Sequence, residues 1–394
     1  MEELKDILGK HDVVEHYSTN PDTLFAENRA AYDCLYSLDV LYRRGLEAGQ
    51  LKHSITDWLA QTHGTERWPK EQLYSIFTAA IVNARKFLSY LLYEFIPQDL
   101  RFPFSSDGVA SPTTDPAELL QIIWQPMGNP RLHSYRTYEA FLTWVLGRRY
   151  MWMWQKVQPI ASRLRDLTLC LEERLFTGNG DQPRKEIITS FCDVQNAYRW
   201  SSTPTAHCVN HLVSTRSAEI NGRPCKVLYD GRVKDEQSVF RKCLVKGVGA
   251  EYIGNDYCAV TLVTFSAEDY HALRRRLREE IFPDGALVGN LRVNGKSHVR
   301  NAFSSDLYWP EEQFIGLFQG QFIEVQLFLY PPFFNRLFSA GEENHYSYRL
   351  KQVWPLLQLF FPTEHYLIEW NEMTYGRLKA LQLGRILTCI QPTE

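Results

Sequence analysis

The chain has 394 residues, of which 44% are hydrophobic and 23% charged, and a formal net charge of -3. This slightly acidic balance excludes a protein that grips nucleic acid by whole-chain charge, so any such binding has to come from local patches. No apolar run reaches the ~18 residues of a membrane helix, and the charged start "MEELKDILGKHDVVEH" has no apolar signal core, so a cytoplasmic protein without membrane association is expected.

Residues 1–180 are predicted to form a mostly helical domain, with helices over Asp22–Glu47, Pro69–Phe95, Pro116–Gln125 and Tyr135–Phe176, and a further helix over Arg184–Arg199. The second has the clearest pattern. Leu73, Phe77, Ala80, Ile81, Ala84, Phe87, Leu88, Leu91 and Leu92 recur at three- and four-residue steps, an apolar stripe wide enough to be buried. Pro69 suits a helix start, and Pro97 ends the pattern. Pro159 predicts a bend in the fourth helix. Trp144, Tyr150, Met151, Trp152, Met153 and Trp154 form an aromatic–methionine cluster that suits a core or a contact surface. Eight cysteines without a C-x-x-C pair suit reduced structural thiols rather than zinc or disulfides.

From about Cys225 the pattern changes. Short β-like runs, "CKVLYDGRVK", "YCAVTLVTF", "ALVGNLRV" and "QFIEVQLFLY", alternate with helical patterns at Gln237–Val245 and Ala267–Phe282. Residues 181–394 are therefore predicted to form a second, α/β domain with a helix-covered sheet.

Three features of this half carry chemistry. The stretch "GRVKDEQSVFRK" places Arg232 and Lys234 on one face of a strand end, and Ser238, Arg241 and Lys242 on one face of the helix that follows. Such a junction suits a polyphosphate, although a solvated basic turn has the same composition. Asp256 opens an apolar strand, and Glu324 lies within another. Alternation puts Glu324 and Gln326 on one face, with Ile323, Val325 and Leu327 on the other. Carboxylates in apolar strands are costly unless paired or metal-bound, and next to a phosphate cradle they suit Mg²⁺. The third feature, "EENHYSYRLK", mixes His345, Tyr346 and basic residues that suit a base and its phosphates.

In order, "RVKDEQSVFRK", "DYCAVTLVTF", "AFSSDL", "EVQLF" and "HYSYRLK" resemble the synthetase domain of the RelA/SpoT-homologue family, over roughly residues 205–360. The resemblance implies a nucleotidyltransferase-like mixed sheet flanked by helices. It also implies transfer of pyrophosphate from ATP to the ribose 3′-hydroxyl of a guanine nucleotide. By the resemblance, Arg232, Lys234, Ser238, Arg241 and Lys242 would hold ATP. Asp256 and Glu324 would hold Mg²⁺, and Glu324 would take the hydroxyl proton. Lys296, Arg300, Phe303, Gln326, His345 and Tyr346 would line the acceptor side. The chain departs from the family at Thr261, where an arginine is usual, and at Asp306 in the acceptor loop. These departures leave two alternatives. One is a toxic synthetase acting on the 3′ end of tRNA, for which the basic runs "RRRLR" and "RVNGKSHVR" speak. The other is a non-catalytic nucleotide sensor. An active synthetase would also need a partner, an antitoxin or regulatory protein, to restrain or reverse it.

Overall fold

The computed structural model describes residues 48–101, 113–124, 130–176, 183–220, 222–246, 257–282, 311–319, 321–341 and 344–393. In chain order the elements are α1 (Ala48–His63), α2 (Lys70–Phe95), α3 (Pro116–Trp124), α4 (Pro130–Leu175), β1 (Arg184–Asp193), β2 (Arg199–Trp200), β3 (His207–Ile220), β4 (Arg223–Val233) and α5 (Glu236–Lys246). They continue with β5 (Cys258–Thr264), α6 (Ala267–Arg276), β6 (Glu311–Phe318), β7 (Gln321–Leu329), α7 (Tyr330–Phe338), α8 (His345–Phe360), α9 (Thr363–Tyr366), α10 (Glu372–Leu387) and β8 (Ile390–Pro392). The protein is mixed α/β. No helix among the described residues is long and apolar enough to cross a membrane. Two compact units interleave along the chain: Met1–Gln158, Glu236–Glu251 and Val353–Gly376 form one, and Pro159–Asp235, Tyr252–Gln352 and Arg377–Glu394 the other.

The first unit is helical. The predicted stripe of α2 is buried along its length, from Leu73 to Leu92. Phe77 meets Trp144 of α4 edge-on at 4.9 Å, and Trp144 stacks on Trp58 of α1 at 6.0 Å. At Gly147 an added β carbon would lie 2.7 Å from Ile81 Cγ1, so α4 approaches α2 there as only glycine permits. Asp115 caps α3: its Oδ1 accepts from the N–H groups of Ala117 and Glu118 and from the Tyr74 hydroxyl of α2. Trp144, Tyr150, Met151 and Met153 are buried, so this part of the aromatic cluster is core; Trp152 and Trp154 are half-buried.

The second unit is built on a mixed sheet with strand order β2-β1-β3-β4-β5-β7-β6, and with β8 paired to β3. Among the described strands only β5 and β7 run parallel; the other pairs are antiparallel. Directly opposed residues share a face. One face carries Tyr229, Gly231, Val260, Leu262, Val325 and Leu327. Arg216, on this same face, pairs with Glu172 of α4 and lies over the rings of Phe176 and Tyr229. On the other face Leu228, Val263, Phe328, Tyr330 and Phe334 form one apolar cluster with Cys192, Val209 and Val213. Burial raises the thiol pKa values of Cys192, Cys225 and Cys258 to about 11, 12 and 12, which keeps them protonated and structural.

Two sequence expectations change. The helix expected over Arg184–Arg199 is strand β1, a turn and strand β2, and its burial alternates with the period of two that a strand requires. Isoleucine, threonine and phenylalanine in "RKEIITSFCD" fit a pleated surface, and pairing with β3 overrides the local helical pattern. The sheet therefore starts some forty residues earlier than the change of character at Cys225 suggests. The expected helix over Asp22–Glu47 and the strand "ALVGNLRV" lie outside the described residues.

Two predictions follow from this packing. Gly316 of β6 faces Phe282, whose Cε1 would lie 2.2 Å from an added β carbon. Gly316→Ala should therefore cost about 1–3 kcal/mol, measured by chemical denaturation, because the ring has no room to yield without repacking. His63 is buried, and burial together with nearby Arg148 lowers its pKa to about 4. The unfolded chain takes up this proton below about pH 6.5 and the folded one does not until about pH 4. Stability should therefore fall on acidification across that window. In His63→Gln the drop between pH 7 and pH 4.5 should be smaller by about 2 kcal/mol.

Candidate functional site

The site forms on one face of the sheet in the second unit, where β4, β5 and β7 lie side by side. Two rows of opposed residues cross it. Asp230, Thr261 and Gln326 make one row, and Arg232, Ala259 and Glu324 the next. Lys234 follows directly after β4, and its backbone N–H donates to the Tyr257 carbonyl at 2.8 Å, extending the ladder by one residue. The Lys234 side chain therefore emerges on the same face. Ala259 presents only a methyl group between the flanking strands.

Lys234 Nζ lies 3.4 Å from Glu324 Oε2, and the two side chains are only 9% and 10% exposed. Gln326 Nε2 donates to Glu324 Oε1 at 3.1 Å. Gln326 Oε1 in turn accepts from Arg336 Nη1 at 3.0 Å and from Thr261 Oγ1 at 3.5 Å. The result is a continuous polar chain, Lys234–Glu324–Gln326–Arg336, set into a strand whose residues Ile323 to Phe328 are all buried. Burying these charges is costly, and the mutual pairing offsets the cost. Toward solvent the same face carries Asp230 and Arg232, 57% and 45% exposed, with Arg232 Nη1 4.0 Å from Asp230 Oδ2.

The structure thus brings together Lys234, Glu324 and Gln326 of the expected residues, with Arg232 on the same face one row away. Ser238, Arg241 and Lys242 stand on α5, which belongs to the first unit. There Phe240 packs against Phe87 at 5.2 Å and Tyr150 at 4.7 Å, Gln237 Nε2 donates to the Asn83 carbonyl, and Arg241 Nη1 lies 3.5 Å from the Tyr90 hydroxyl. His345 and Tyr346 open α8, where the Tyr346 N–H donates to Asn344 Oδ1 at 2.7 Å and the His345 ring lies 5.9 Å from that of Tyr348. Asp256, Lys296, Arg300, Phe303 and Asp306 lie outside the described residues.

Sequence reasoning missed Arg336 and Asp230. Arg336 sits on a short helix without a recognisable motif. Asp230 could have been found from its spacing, two residues before Arg232 on the same strand. The basic run Arg274–Arg278 is not one solvated face. Arg276 is buried and donates to the carbonyls of Glu219 and Arg174.

For Mg²⁺, Glu324 offers a carboxylate engaged by Lys234 and Gln326, and no cluster of three or more His, Cys, Asp or Glu gathers among the described residues. A single carboxylate already paired with an ammonium and an amide does not by itself make a magnesium site.

Compared with known proteins, the chain matches no protein-family model, and no similar curated protein is found.

Removing one partner of the buried pair leaves the other charge uncompensated. Lys234→Met should destabilise the protein by about 3 kcal/mol in urea denaturation. The double variant Lys234→Met/Glu324→Gln should recover a large part of that loss, because no unpaired charge remains.

Proposed function

We propose that this protein is an ATP-dependent pyrophosphokinase with a nucleotidyltransferase-like sheet, which transfers pyrophosphate from ATP to the ribose 3′-hydroxyl of a guanine nucleotide. The observation that carries this reading is the buried Lys234–Glu324–Gln326 constellation. A strand-end cation, a carboxylate and an amide share one face of a mixed sheet, in the order in which the sequence resembles RelA/SpoT-type synthetases.

In this reading Arg232 and Lys234 neutralise the ATP phosphates. The acceptor 3′-oxygen attacks the β-phosphorus of ATP. The bond from that phosphorus to the α,β-bridging oxygen breaks, and AMP leaves with the bridging oxygen. Glu324 accepts the hydroxyl proton as the new P–O bond forms and later releases it to solvent. Lys234 stays within ion-pair distance of the carboxylate, so it can compensate charge at both the phosphates and the base. Glu324, with Asp256 as the resemblance implies, would hold Mg²⁺, which would supply further neutralisation of the polyphosphate. Gln326 orients Glu324 through its amide N–H.

A free nucleotide is favoured over tRNA as acceptor because Arg276, at the centre of the basic run, is spent on backbone carbonyls within the fold. The non-catalytic reading draws on Thr261, whose hydroxyl fills the place next to Gln326 where the family has an arginine.

The test is incubation with ATP labelled on its γ-phosphate together with GDP, GTP or bulk tRNA. Label should appear in a guanine nucleotide, with AMP released in equal amount. Glu324→Gln should lower the rate by about 10²-fold or more. Label confined to tRNA would move the acceptor, and no transfer from the parent protein to any acceptor would leave the sensor reading.

A further inference from the structure

Helix α7 closes over the apolar half of the site's face, and its two ends meet on one side chain. His211 of β3 lies opposite Ile188 of β1, on the same face as Val209 and Val213, which join Tyr330 and Phe334 of α7 in one apolar cluster. The ring of Tyr330, the first residue of α7, is 6.1 Å from the imidazole, and that of Phe338, the last, is 5.2 Å from it. Each is stacked on the imidazole with an interplanar angle of 23°. Phe265 extends the stack by lying on Tyr330 at 5.0 Å.

One polar thread runs through this apolar packing. The Tyr330 hydroxyl lies 2.6 Å from Ser190 Oγ and 3.3 Å from His211 Nε2. His211 Nδ1 is buried and has no hydrogen-bond partner among the described residues. A neutral imidazole suits this arrangement in either tautomer, because Tyr330 can donate to Nε2 or accept from it while Ser190 takes the complementary role. An imidazolium does not. It carries an N–H on both nitrogens, and the one on Nδ1 would bring a charge into an apolar cluster without an acceptor. Burial accordingly holds the His211 pKa below the usual histidine value.

The ionisable groups on the elements packed around the imidazole are few. Strand β1 brings Glu186, which Lys226 of β4 holds ionised at 2.7 Å. Strand β4 also brings Asp230, beside Arg232. Helix α7 brings Arg336, which donates to Gln326, and Tyr330, whose phenol burial raises to about 12. Strand β3 itself brings His207, on the same face and edge-on to the ring of Tyr198.

We infer that His211 is an acid-sensitive latch for α7: the neutral imidazole holds both ends of the helix on the sheet, and its protonation by solvent releases them. Because α7 carries Arg336, the donor to Gln326, release would also loosen the Glu324–Gln326 pair. The inference stands on packing and hydrogen bonding, and does not depend on the transfer reading.

The experiment is amide hydrogen exchange of the full chain at pH 7.5 and pH 5.5, with each rate corrected for its intrinsic pH dependence. With α7 open, His211 takes up a proton near pH 6.5, whereas the closed form refuses it. Protection of the Phe334–Ser339 amides should therefore fall by about three- to tenfold over this interval. Amides of β5 should change by less than about twofold. In His211→Phe, which keeps a flat ring in the stack and takes up no proton, protection of α7 should vary by less than about twofold. His207→Gln should behave as the parent. A smaller fall in the parent overturns the inference, as does a fall shared equally by β5, one that persists in His211→Phe, or one that disappears in His207→Gln. If His211→Phe does not fold, His211→Gln decides: a parental fall in that variant overturns the latch, and its loss supports it.

Discussion

The structure of the second unit turns on the burial of Glu324. Strand β7 has β5 on one edge and β6 on the other, and its residues from Ile323 to Phe328 are buried. An ionised carboxylate in such a strand costs several kcal/mol unless it is compensated. Lys234 supplies the countercharge, and Gln326 supplies a donor to the second oxygen. The ammonium can reach only if β4 ends where it does, with the Lys234 N–H still bonded to Tyr257. A slip of β4 by one residue would turn Lys234 to the opposite face and leave the carboxylate unpaired. Register and site are thus one constraint, and the ion pair selects the pairing of β4 and β5 that also aligns Asp230 with Thr261 and Arg232 with Ala259.

The same constraint divides the sheet face. Row by row along β7, Glu324 and Gln326 give way to Phe328 and then to Tyr330. On β5, Ala259 and Thr261 give way to Val263, and on β4, Arg232 and Asp230 to Leu228. Helix α7 closes over the apolar rows, where Tyr330 and Phe334 join Val263 and Phe328. Covering the polar rows in the same way would desolvate charges with no gain in apolar burial. The boundary between the halves therefore follows from side-chain chemistry repeated on three neighbouring strands, and Arg336 stands on that boundary because α7 ends near it.

What the sequence makes legible is what repeats or alternates over a sufficient length. Helix α2 was readable because its stripe persists for about six turns. The shared face of Glu324 and Gln326 was readable because strand alternation has no other solution. The joining of Lys234 to Glu324, ninety positions apart, was accessible only through the order of the motifs, since nothing local to either residue predicts the other. Residues 184–199 were misread because the ten residues of β1 hold too few periods to separate a strand from a helix, and the partner that decides, β3, lies beyond a turn. Arg336 was invisible for a related reason. In "YPPFFNRLF" it is one cation on a short amphipathic helix, and its meaning appears only when Gln326 is across from it.

The basic stretch from Gly231 to Lys242, which the sequence presents as one cradle, has two separate supports. Its strand part, Arg232 and Lys234, is held by the ladder to β5 and by Glu324. Its helix part is held within the first unit. There Val239, Phe240, Cys243 and Leu244 bury one side of α5, Gln237 bonds to Asn83, and Glu236 accepts from Tyr150 and Trp154. The Glu236 contacts also place a negative charge in the first turn of α5, favourable against the helix dipole. Because the two parts are fastened to different cores, loss of packing around Phe240 would disturb Ser238, Arg241 and Lys242 without undoing the Lys234–Glu324 pair. Loss of that pair would likewise leave α5 on its helical partners. A cation cluster that is continuous in sequence is therefore energetically two clusters, each dependent on its own unit for position.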